Sequence, residues 1–338
     1  MNGNGSPTLD EVARVAGVSR ATASRAINGG MRVSPQALAS VESAVRSLGY
    51  VPNPAARSLV TRRTDSVAVV VPEPDERIFS DPFFAGTLRG VTRVLTEHDL
   101  QLVLLLARPG ASSARTLRYL NNRHVDGALV VSHHRDDGLA EQLAGTDLPC
   151  VFGGRPWTAG DRVAYVDVDN VAGARQATEA LIERGCRRIA TIAGPADMTA
   201  AADRLEGWRQ AMAAAGLPLD AVHQGDFTQE SGEVAALALL ETHPDLDGLV
   251  VASDLMAAGA LRVLARAGRR VPDDVAVVGY DDLGVAERTT PPLTTMRQPV
   301  EEMAERATRL LLEQIEGHGS GRPMRVIIPP QLVRRASA

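Results

Sequence analysis

The sequence contains no lysine, only two cysteines and few aromatic residues, which make up 3% of the chain. Aliphatic side chains must therefore fill most of the core. Cys150 and Cys186 each lie beside an apolar strand pattern without metal-ligand spacing, so we expect buried free thiols in a reducing compartment. No apolar run reaches 18 residues, and the N-terminal MNGNGSPTLDEV lacks an apolar segment. The sequence thus predicts neither a membrane span nor a signal peptide, and we expect a cytoplasmic protein.

Charge is unevenly distributed along the chain. The formal net charge is −5, yet residues 1–64 hold eight arginines and three acidic residues, so this segment carries +5 and the remainder carries −10. A basic head on an acidic body indicates an anionic partner for the head alone. The alternative, a solvated basic tail, requires a less apolar composition. At 338 residues the chain is too long for one ordinary core, so we expect two or three domains.

Three short helices are predicted within residues 6–52. Thr8 and Glu11 have the spacing of a capping box, and apolar residues then recur at helical spacing. Gly17 ends the first helix and Ser19 caps the second, which makes a helix-turn-helix. A third helix, PQALASVESAVRSL, follows and opens with proline, which suits a first helical position.

The second helix has almost no large apolar residues. Its pattern predicts that one set of residues faces inward, namely Ala21, Ala23, Ala26 and Ile27. The residues left for the outside are Arg20, Thr22, Ser24 and Arg25. Arginine near the start of a helix can pair with guanine in the major groove of DNA, and hydroxyl groups suit phosphates. A generic three-helix bundle is the alternative interpretation of this geometry.

The segment TLDEVARVAGVSRATASRAINGGMRVSPQALASVESAVRSLGYVPNPAARSL closely resembles the N-terminal headpiece of the LacI family of bacterial transcription regulators. The resemblance implies that Arg20 and Ala21 occupy the two positions that vary with operator sequence, and that Arg25 contacts bases. The headpiece residues that it places at DNA are Thr8, Ser19, Arg20, Ala21, Thr22, Ser24, Arg25 and Asn28.

Residues 53–63 form a separate segment, in which NPAARSLV begins like a helix but is too short to be stable alone. In the family this segment is the hinge helix, which folds when two copies meet in the minor groove of DNA. The resemblance places Asn53, Ala56, Arg57 and Leu59 at the DNA, with Leu59 wedged between base steps. The alternative is a plain linker.

The body, residues 64–338, alternates apolar strand patterns with helices, which predicts doubly wound parallel sheets with too many strands for one sheet. The predicted fold class is an all-α three-helix helix-turn-helix headpiece plus an α/β effector body of two doubly wound parallel-sheet subdomains. By resemblance this body is periplasmic-binding-protein-like. We place the first subdomain at about 64–162 and 296–324, and the second at about 163–295 and 325–338.

Ligands of such folds bind between the lobes, at the carboxyl ends of strands. Carboxylates, arginines and aromatic rings follow several strands here, and these groups bind the hydroxyls and the C–H face of a sugar. Each also has an ordinary interpretation as a core ring, a surface charge or a helix cap. The predicted effector contacts are Asp81, Phe83, Phe84, Ser132, Arg155, Arg204, Phe227, Ser253, Asp254, Asp281 and Gln298.

The family resemblance continues through these strand ends, in DPFF, RLEGW, GDFTQESG, ASDLMAAGAL, GYDD and PPLTTMRQ. The effector contacts that it implies are Phe84, Arg204, Phe227, Asp281 and Gln298. Ser253 stands where asparagine is usual. The segment VFGGR has glycine where many relatives carry a carboxylate, so Arg155 is a candidate for that role and would tolerate an anionic ligand.

No catalytic motif is evident. Asp281 and Asp282 are adjacent on a strand and therefore point to opposite faces, and no phosphate-cradling or nucleophile motif follows a strand. His133 and His134 lack a third metal ligand at suitable spacing, so we expect a solvated loop there. The sequence predicts neither an enzyme nor a bound cofactor.

These observations favour a sequence-specific DNA-binding transcriptional regulator, a repressor of carbohydrate-uptake or catabolism genes. We expect its effector to be a neutral sugar, with a purine-like or sugar-phosphate ligand as the alternative. The rival functions are a sugar-binding protein of a transport system and a sugar-modifying enzyme. One headpiece reads too few bases, so we expect a homodimer on a pseudo-palindromic operator. The segment after RVIIPPQLV is too short for tetramerising heptads.

Overall fold

A computed structural model of the chain describes residues 7–28, 33–51, 63–107, 113–318 and 323–338. The chain divides into two compact units, Met1–Thr64 and Asp65–Ala338. Each unit has its own hydrophobic core, so each can be understood from its own sequence pattern. Within these described parts, none of the helices combines the length and the apolarity that a membrane crossing requires.

The helices of the N-terminal unit are α1 (Leu9–Ala16), α2 (Arg20–Ile27) and α3 (Pro35–Leu48). The predicted capping box is present, because the N–H of Glu11 donates to Thr8 Oγ1 and the N–H of Thr8 donates to Glu11 Oε2. Gly17 ends α1 with a φ of 67°, in the left-handed region that glycine tolerates best. Small side chains let the helices pack closely, and the buried ones are Val12, Ala13, Ala23, Val41 and Ala44.

The first lobe of the second unit is a six-stranded parallel sheet with helices on both faces. Its strands are β1 (Ser66–Val71), β2 (Gln101–Leu106), β3 (Gly127–Val131), β4 (Cys150–Gly153), β5 (Ala164–Val168) and β11 (Arg325–Ile328). Their order across the sheet is β11-β5-β4-β3-β1-β2. The helices are α4 (Asp75–Ser80), α5 (Pro82–Glu97), α6 (Ser113–Asn121), α7 (Leu139–Ala144) and α12 (Val300–Ile315).

The second lobe is also a six-stranded sheet, parallel except for its last strand. Its strands are β6 (Ile189–Ala193), β7 (Val222–Gln224), β8 (Gly248–Val251), β9 (Ala276–Asp281), β10 (Thr294–Arg297) and β12 (Gln331–Val333). Their order is β12-β10-β9-β8-β6-β7, with β12 antiparallel to β10. The helices are α8 (Asn170–Arg184), α9 (Thr199–Ala214), α10 (Gln229–Thr242) and α11 (Asp254–Arg266).

The strand β1 shows why continuous apolar runs predict sheets covered on both faces. Val67 and Val69 pack in the cluster that includes α5 and α12, whereas Ala68 and Val70 pack in the cluster on the opposite face with α6 and α7. Successive side chains on a strand point to opposite faces, so SVAVVV needs a hydrophobic partner on each side. The predicted fold class is confirmed by these two doubly wound sheets and the helical N-terminal unit.

Two strands lie in a different lobe from the one predicted for them, and one predicted boundary falls inside a third strand. Strands β5 and β11 pair with each other in the first sheet, although we assigned 163–295 and 325–338 to the second subdomain. The predicted boundary between 295 and 296 falls inside β10, and the whole of this strand belongs to the second sheet, where it pairs with β9. The physical reason is that a fully buried strand has the same apolar pattern in either sheet, so the pattern carries no information about its partners. The chain therefore crosses between the lobes after β5, β10 and β11.

Each sheet has a point where its strand order reverses, and these points locate the site. In the first sheet β1 lies between β2 and β3, and in the second sheet β6 lies between β7 and β8. The connections from neighbouring strands leave in opposite directions there, which opens a crevice at the carboxyl ends of the strands. The residues that follow β1, β3, β6 and β8 are therefore the first candidates for ligand contacts.

Candidate functional site

A cavity lies between the two lobes, at the carboxyl ends of their strands. It encloses about 890 Å³ of empty space, including the part that is open to solvent. Eight of the predicted effector residues line it, namely Asp81, Phe83, Ser132, Arg204, Phe227, Ser253, Asp281 and Gln298.

Arg204 is a buried guanidinium in the second-lobe wall of this cavity. Its Nε donates a hydrogen bond to Asn170 Oδ1 at 2.8 Å, and its Nη1 donates to the carbonyl oxygen of Ala252 at 2.6 Å. Gly207 brings α9 close enough to α8 for the first contact, because a Cβ at that position would lie 2.2 Å from the carbonyl oxygen of Val171. The orientation of the guanidinium is thus set by the protein before a ligand arrives, which lowers the entropic cost of binding.

Asp281 ends β9 and faces Arg204. Its Oδ1 lies 3.6 Å from Arg204 Nη1 and accepts a hydrogen bond from Gln298 Nε2 at 2.6 Å. Burial raises the pKa of Asp281 to about 7; the charge of Arg204 opposes this rise and the charge of Asp81 adds to it. The carboxyl group therefore titrates near neutral pH, and in its ionised form it can accept hydrogen bonds from a ligand hydroxyl.

Phe227 contributes an aromatic ring to the second-lobe wall. The ring lies against Gly194, where a Cβ would come within 2.3 Å of the ring carbons Cε1 and Cζ. Phe227 has a φ of 70°, and Ser132 across the cavity has a φ of 56°. Bulky residues rarely adopt this left-handed backbone, and such strain concentrates at ligand sites. The fold thus holds an aromatic face, which suits the C–H side of a sugar ring, beside the polar groups of the wall.

The first-lobe wall is formed by the start of α5 and the end of β3. Asp81 caps α5, since its Oδ1 accepts a hydrogen bond from the N–H of Phe83 at 2.9 Å, and burial raises the pKa of its carboxyl group. The ring of Phe83 packs edge-to-face on the ring of Phe84, with 5.3 Å between centroids. Ser132 donates its hydroxyl to Glu73 Oε1 at 2.6 Å, so that hydroxyl is already engaged.

Three of the predicted contacts are not among the residues that line the cavity. Phe84 is 2% exposed and packs in the first-lobe core, because its ring diverges from that of Phe83 on the same helix. Arg155 extends to the second lobe instead, where its Nη2 lies 2.7 Å from both carboxylate oxygens of Asp203.

Asp254 is the third of these residues, and it is buried behind the wall. Its Oδ1 accepts a hydrogen bond from Thr295 Oγ1 at 2.6 Å, and its Oδ2 accepts one from the N–H of Asp282 at 2.8 Å. Burial raises the pKa of Asp254 well above its usual value. The carboxyl group therefore supports the end of β9, and Ser253 caps α11 from the cavity side by accepting the N–H of Met256 at 3.2 Å.

Sequence reasoning missed several residues that the fold brings to the cavity. Asp167 lies near the carboxyl end of β5 and Asn170 begins the next helix, and they would have been found if that strand had been placed in the first sheet. Arg77 lies in the short helix α4 and has no sequence signal, because a helical arginine is usually a surface charge. Met198 and Thr199, at the start of α9, also line the cavity.

The two adjacent histidines do not form the solvated loop that we expected. His133 is 6% exposed, its Nε2 lies 3.2 Å from the carbonyl oxygen of Gly154, and burial lowers its pKa. His134 lies between the carboxylates of Glu73 and Asp197. The second lobe covers this strand end, which the pattern of a single strand cannot show. In the described parts of the chain, no group of three or more histidine, cysteine or acidic side chains could hold a metal ion.

The N-terminal unit presents a polar helix face to solvent. Ser19, Arg20, Ala21 and Arg25 are exposed on α2 or just before it. We had expected Ala21 to face inward, but Ala23 is the buried alanine, since one helical residue changes direction by about a quarter-turn. Exposure of Ala21 agrees with the surface position that the family resemblance gives it.

Local hydrogen bonds position the other side chains on this helix. Ser19 Oγ accepts a hydrogen bond from the N–H of Thr22 at 3.1 Å, so Ser19 is a helix cap. Arg25 Nε donates to the carbonyl oxygen of Ala21 at 3.1 Å, and Asn28 Nδ2 donates to Ser24 Oγ at 3.4 Å. Arg20 contacts a residue of α1, since its Nε lies 3.3 Å from the exposed Asp10. The cationic groups are therefore at the surface, where an anion can replace weak local contacts.

The four predicted hinge residues lie outside the described residues. They are Asn53, Ala56, Arg57 and Leu59. Their DNA-binding role, and the hinge helix itself, therefore stay predictions based on the sequence resemblance.

Comparison with protein families matches both parts of the chain. Residues 8–53 match the family model described as bacterial regulatory proteins of the lacI family. Residues 178–338 match the model of a periplasmic binding protein-like domain. The first match lies in the helical N-terminal unit, and the second lies in the α/β unit.

Full-length relatives have the same organisation. The HTH-type transcriptional regulator CelR of Thermobifida fusca is 51% identical over 334 residues, which are 98% of each chain. A structure of the CelR–cellobiose complex shares 49% sequence identity, with a TM-score of 0.79 over 98% of this chain and 100% of that one. A crystal structure of the lac repressor dimer bound to operator and the anti-inducer ONPF shares 26% identity, with a TM-score of 0.85 over 98% and 99% of the two chains.

Proposed function

The chain belongs to the LacI family of bacterial regulatory proteins and is a DNA-binding transcriptional regulator, and we propose that its effector is cellobiose, bound in the cavity between the lobes. The observation that carries this proposal is the grouping of Arg204, Asp281 and Phe227 in one cavity wall. A guanidinium, a carboxylate and an aromatic face are the groups that bind hydroxyls and the C–H side of a sugar. The CelR–cellobiose complex of a protein with 49% sequence identity supports the choice of sugar.

The charges around the cavity favour a neutral ligand. Asp81, Asp167 and Asp281 line it, whereas one of its two arginines, Arg77, is already paired with Glu73. A phosphate beside these three carboxyl groups would be repelled by each one that is ionised. A disaccharide brings hydroxyls that can donate to these oxygens, so the neutral sugar is preferred to a sugar phosphate or a purine-like ligand.

The exposed face of α2 is the proposed reader of the operator. Arg20, Ala21 and Arg25 would contact base edges in the major groove, while Ser19 and Thr22 would contact the backbone. We extend this to a homodimer on a pseudo-palindromic operator, as in the structure of the lac repressor dimer bound to its operator. Residues 53–63 would then form the hinge between the headpiece, residues 6–52, and the effector body.

The two rival functions are less consistent with the site. The paired carboxyl groups Asp281 and Asp282 are separated, since Asp282 accepts hydrogen bonds from Arg297 Nε at 2.7 Å and Arg335 Nη2 at 2.6 Å, away from the cavity. We therefore propose binding without catalysis. A transport protein would not need the DNA-binding head, and we propose that the regulator acts in the cytoplasm.

Calorimetric titration of the full chain tests the effector. We expect saturable binding of one cellobiose per chain, and no binding of glucose 6-phosphate at the same concentration. Substitution of Arg204 by methionine should abolish the cellobiose signal. Saturable heat with glucose 6-phosphate but not with cellobiose would contradict the proposal.

A further inference from the structure

A chain of four charged side chains runs from the second lobe to the cavity wall of the first. Asp197 Oδ2 lies 2.8 Å from His134 Nδ1, and His134 Nε2 lies 3.1 Å from Glu73 Oε1. The same oxygen of Glu73 accepts a hydrogen bond from Nη1 of Arg77. Asp197 belongs to the second lobe, whereas the other three residues belong to the first. The chain of contacts is therefore complete only when the lobes touch at this point.

Asp197 is held at the lobe boundary by more than its carboxylate. Its carbonyl oxygen accepts hydrogen bonds from the N–H of Arg135 at 2.9 Å and from Nε1 of Trp157. The guanidinium of Arg135 covers the Trp157 ring, with 4.0 Å between the guanidinium carbon and the centroid. Two first-lobe donors thus fix the position from which Asp197 reaches His134.

The geometry determines the protonation of His134. Both of its ring nitrogens face carboxylate oxygens, which only accept hydrogen bonds, so both nitrogens must carry protons. Burial alone lowers the pKa of His134, but the hydrogen bonds and charges of Glu73 and Asp197 outweigh burial and raise it. A neutral ring could serve only one of the two carboxylates.

Other charged groups also face this imidazole. Asp137 accepts the backbone N–H of His134 at 2.8 Å, and Arg77 lies on the far side of Glu73. The neighbouring His133 has a pKa lowered by burial, so it adds no competing positive charge near neutral pH. Arg135 is adjacent in sequence and is directed at Trp157. The two carboxylates therefore dominate the surroundings of His134.

Arg77 is the last of these four linked side chains, and it is part of the cavity wall. Its guanidinium carbon lies 5.1 Å from the centroid of Phe227, and its Nε is buried without a hydrogen-bond acceptor in the described structure. Glu73, which is 2% exposed and also accepts the Ser132 hydroxyl at 2.6 Å, holds the other side of the guanidinium. A buried donor without an acceptor is costly, and a ligand oxygen can relieve that cost.

We propose that Asp197 is a positioning residue, which acts through His134 and Glu73 to orient the guanidinium of Arg77 toward a hydroxyl oxygen of the bound sugar. The inference rests on the proposed function, because it assigns the polar group on the first-lobe side of the same cavity. In this arrangement the orientation of Arg77 depends on contact between the lobes. It also links ligand affinity to pH, because the bridge weakens as pH rises through the raised pKa of His134.

The first test needs no ligand. Histidine-selective ¹⁵N labelling of the full chain gives the titration midpoint of His134, with His134→Gln identifying its signals. A second sample with arginine-selective ¹⁵N labelling gives the Nε–H resonance of Arg77, with Arg77→Lys identifying it. We expect Asp197→Asn to move this midpoint to lower pH and to change the Nε–H resonance of Arg77. The matched control is Asp203→Asn, which removes a different ion pair between the lobes, that of Asp203 with Arg155, and leaves the contacts of His134 in place. It should leave both signals as in the wild type. An unchanged His134 midpoint in Asp197→Asn would overturn the proposal.

The second test measures cellobiose affinity by calorimetry between pH 6 and pH 8.5. Asp281 titrates in all of the proteins, so the comparison between variants isolates His134. We expect Asp203→Asn to keep the pH slope of the wild type. We expect Asp197→Asn to bind about 3- to 10-fold more weakly at pH 6 with a reduced slope, as for the loss of one typical hydrogen bond, because Asp197 acts on the ligand only indirectly. Identical slopes in the wild type and Asp197→Asn would overturn the inference. If wild type binds no cellobiose at any pH, the proposed effector is wrong, and the His134 titration still decides the inference.

Discussion

Arg204 Nε donates a hydrogen bond to Asn170 Oδ1 at 2.8 Å, and this contact joins two helices of the second lobe at the wall of the ligand cavity. The guanidinium also lies over the ring of Tyr280, 3.7 Å from its centroid. It is therefore held between a polar and an aromatic partner. A lysine at this position would have one nitrogen and could not satisfy Asn170 and a ligand with the same geometry.

The first prediction follows for Arg204→Lys. Cellobiose affinity should fall about 10- to 100-fold, because a charge-assisted hydrogen bond contributes about 1.5–3 kcal/mol. Calorimetry measures the change. The control is Arg175→Lys on the exposed side of α8, where the arginine Nε lies 3.8 Å from Glu179. Equal affinities of Arg204→Lys and the wild type would remove Arg204 from the site.

The second prediction concerns the aromatic face. Phe227→Leu keeps an apolar side chain but loses the flat ring, so cellobiose should bind about 3- to 10-fold more weakly. Phe84→Leu is the matched control, because Phe84 is buried in the first-lobe core and does not line the cavity. That variant should lower the free energy of unfolding without changing affinity. If Phe84→Leu weakens cellobiose binding and Phe227→Leu does not, then Phe84 contacts the ligand, as the family resemblance implies.

The third prediction is a pH dependence of stability. The pKa of Asp281 is about 7 in the folded protein and about 3.9 in an unfolded chain. Between these values the unfolded chain loses this proton while the folded protein keeps it, so the free energy of unfolding falls as pH rises. Asp281→Asn cannot titrate and should therefore lose less stability between pH 5 and pH 8, by on the order of 2 kcal/mol. Urea unfolding at both pH values measures this, and an unchanged pH dependence would show that Asp281 is ionised throughout.

The fourth prediction concerns operator recognition by α2. Arg20→Ala should weaken operator binding by about 1–3 kcal/mol and relax specificity at one base pair in each half-site. Binding to a set of operators with single substitutions measures both effects. The control is Arg46→Ala near the end of α3, another exposed arginine of the same unit. If both variants weaken all sequences equally, Arg20 contacts only the phosphate backbone.

The fifth prediction concerns the hinge segment. Leu59→Ala should preserve the fold and the cellobiose affinity but weaken specific operator binding, because a wedge between base steps would be lost. Circular dichroism and calorimetry test the first two points, and gel shift tests the third. Operator affinity equal to that of the wild type would make residues 53–63 a plain linker.

Local chemistry made much of the structure predictable. The capping box of Thr8 and Glu11 and the strand-end positions of Asp281 and Phe227 follow from short patterns whose physical causes are local. The family and the regulatory function were likewise indicated by the headpiece motifs and are confirmed by the relatives.

What the sequence could not predict depends on contacts between distant segments. The apolar pattern of strand β5 fits either sheet, so the sequence predicts the wrong lobe for it. For the same reason the sequence does not identify Asp167 and Asn170 as cavity residues. Arg77 becomes a cavity residue only because Glu73 and Phe227 meet around it. Arg155 follows a strand end as expected but pairs with Asp203 across the lobes. In each case the contacting residue is distant in sequence, so a local sequence pattern cannot reveal the contact.

The most direct test of the account is fluorescence anisotropy of the full chain on DNA from its own promoter region, with and without cellobiose. We predict specific binding that exceeds binding to unrelated DNA, and a change of about 5- to 150-fold in operator affinity when cellobiose is added, the range typical of coupling between two sites. Specific binding that cellobiose does not change would contradict the proposed effector. The absence of any specific complex, with or without the sugar, would contradict the account as a whole.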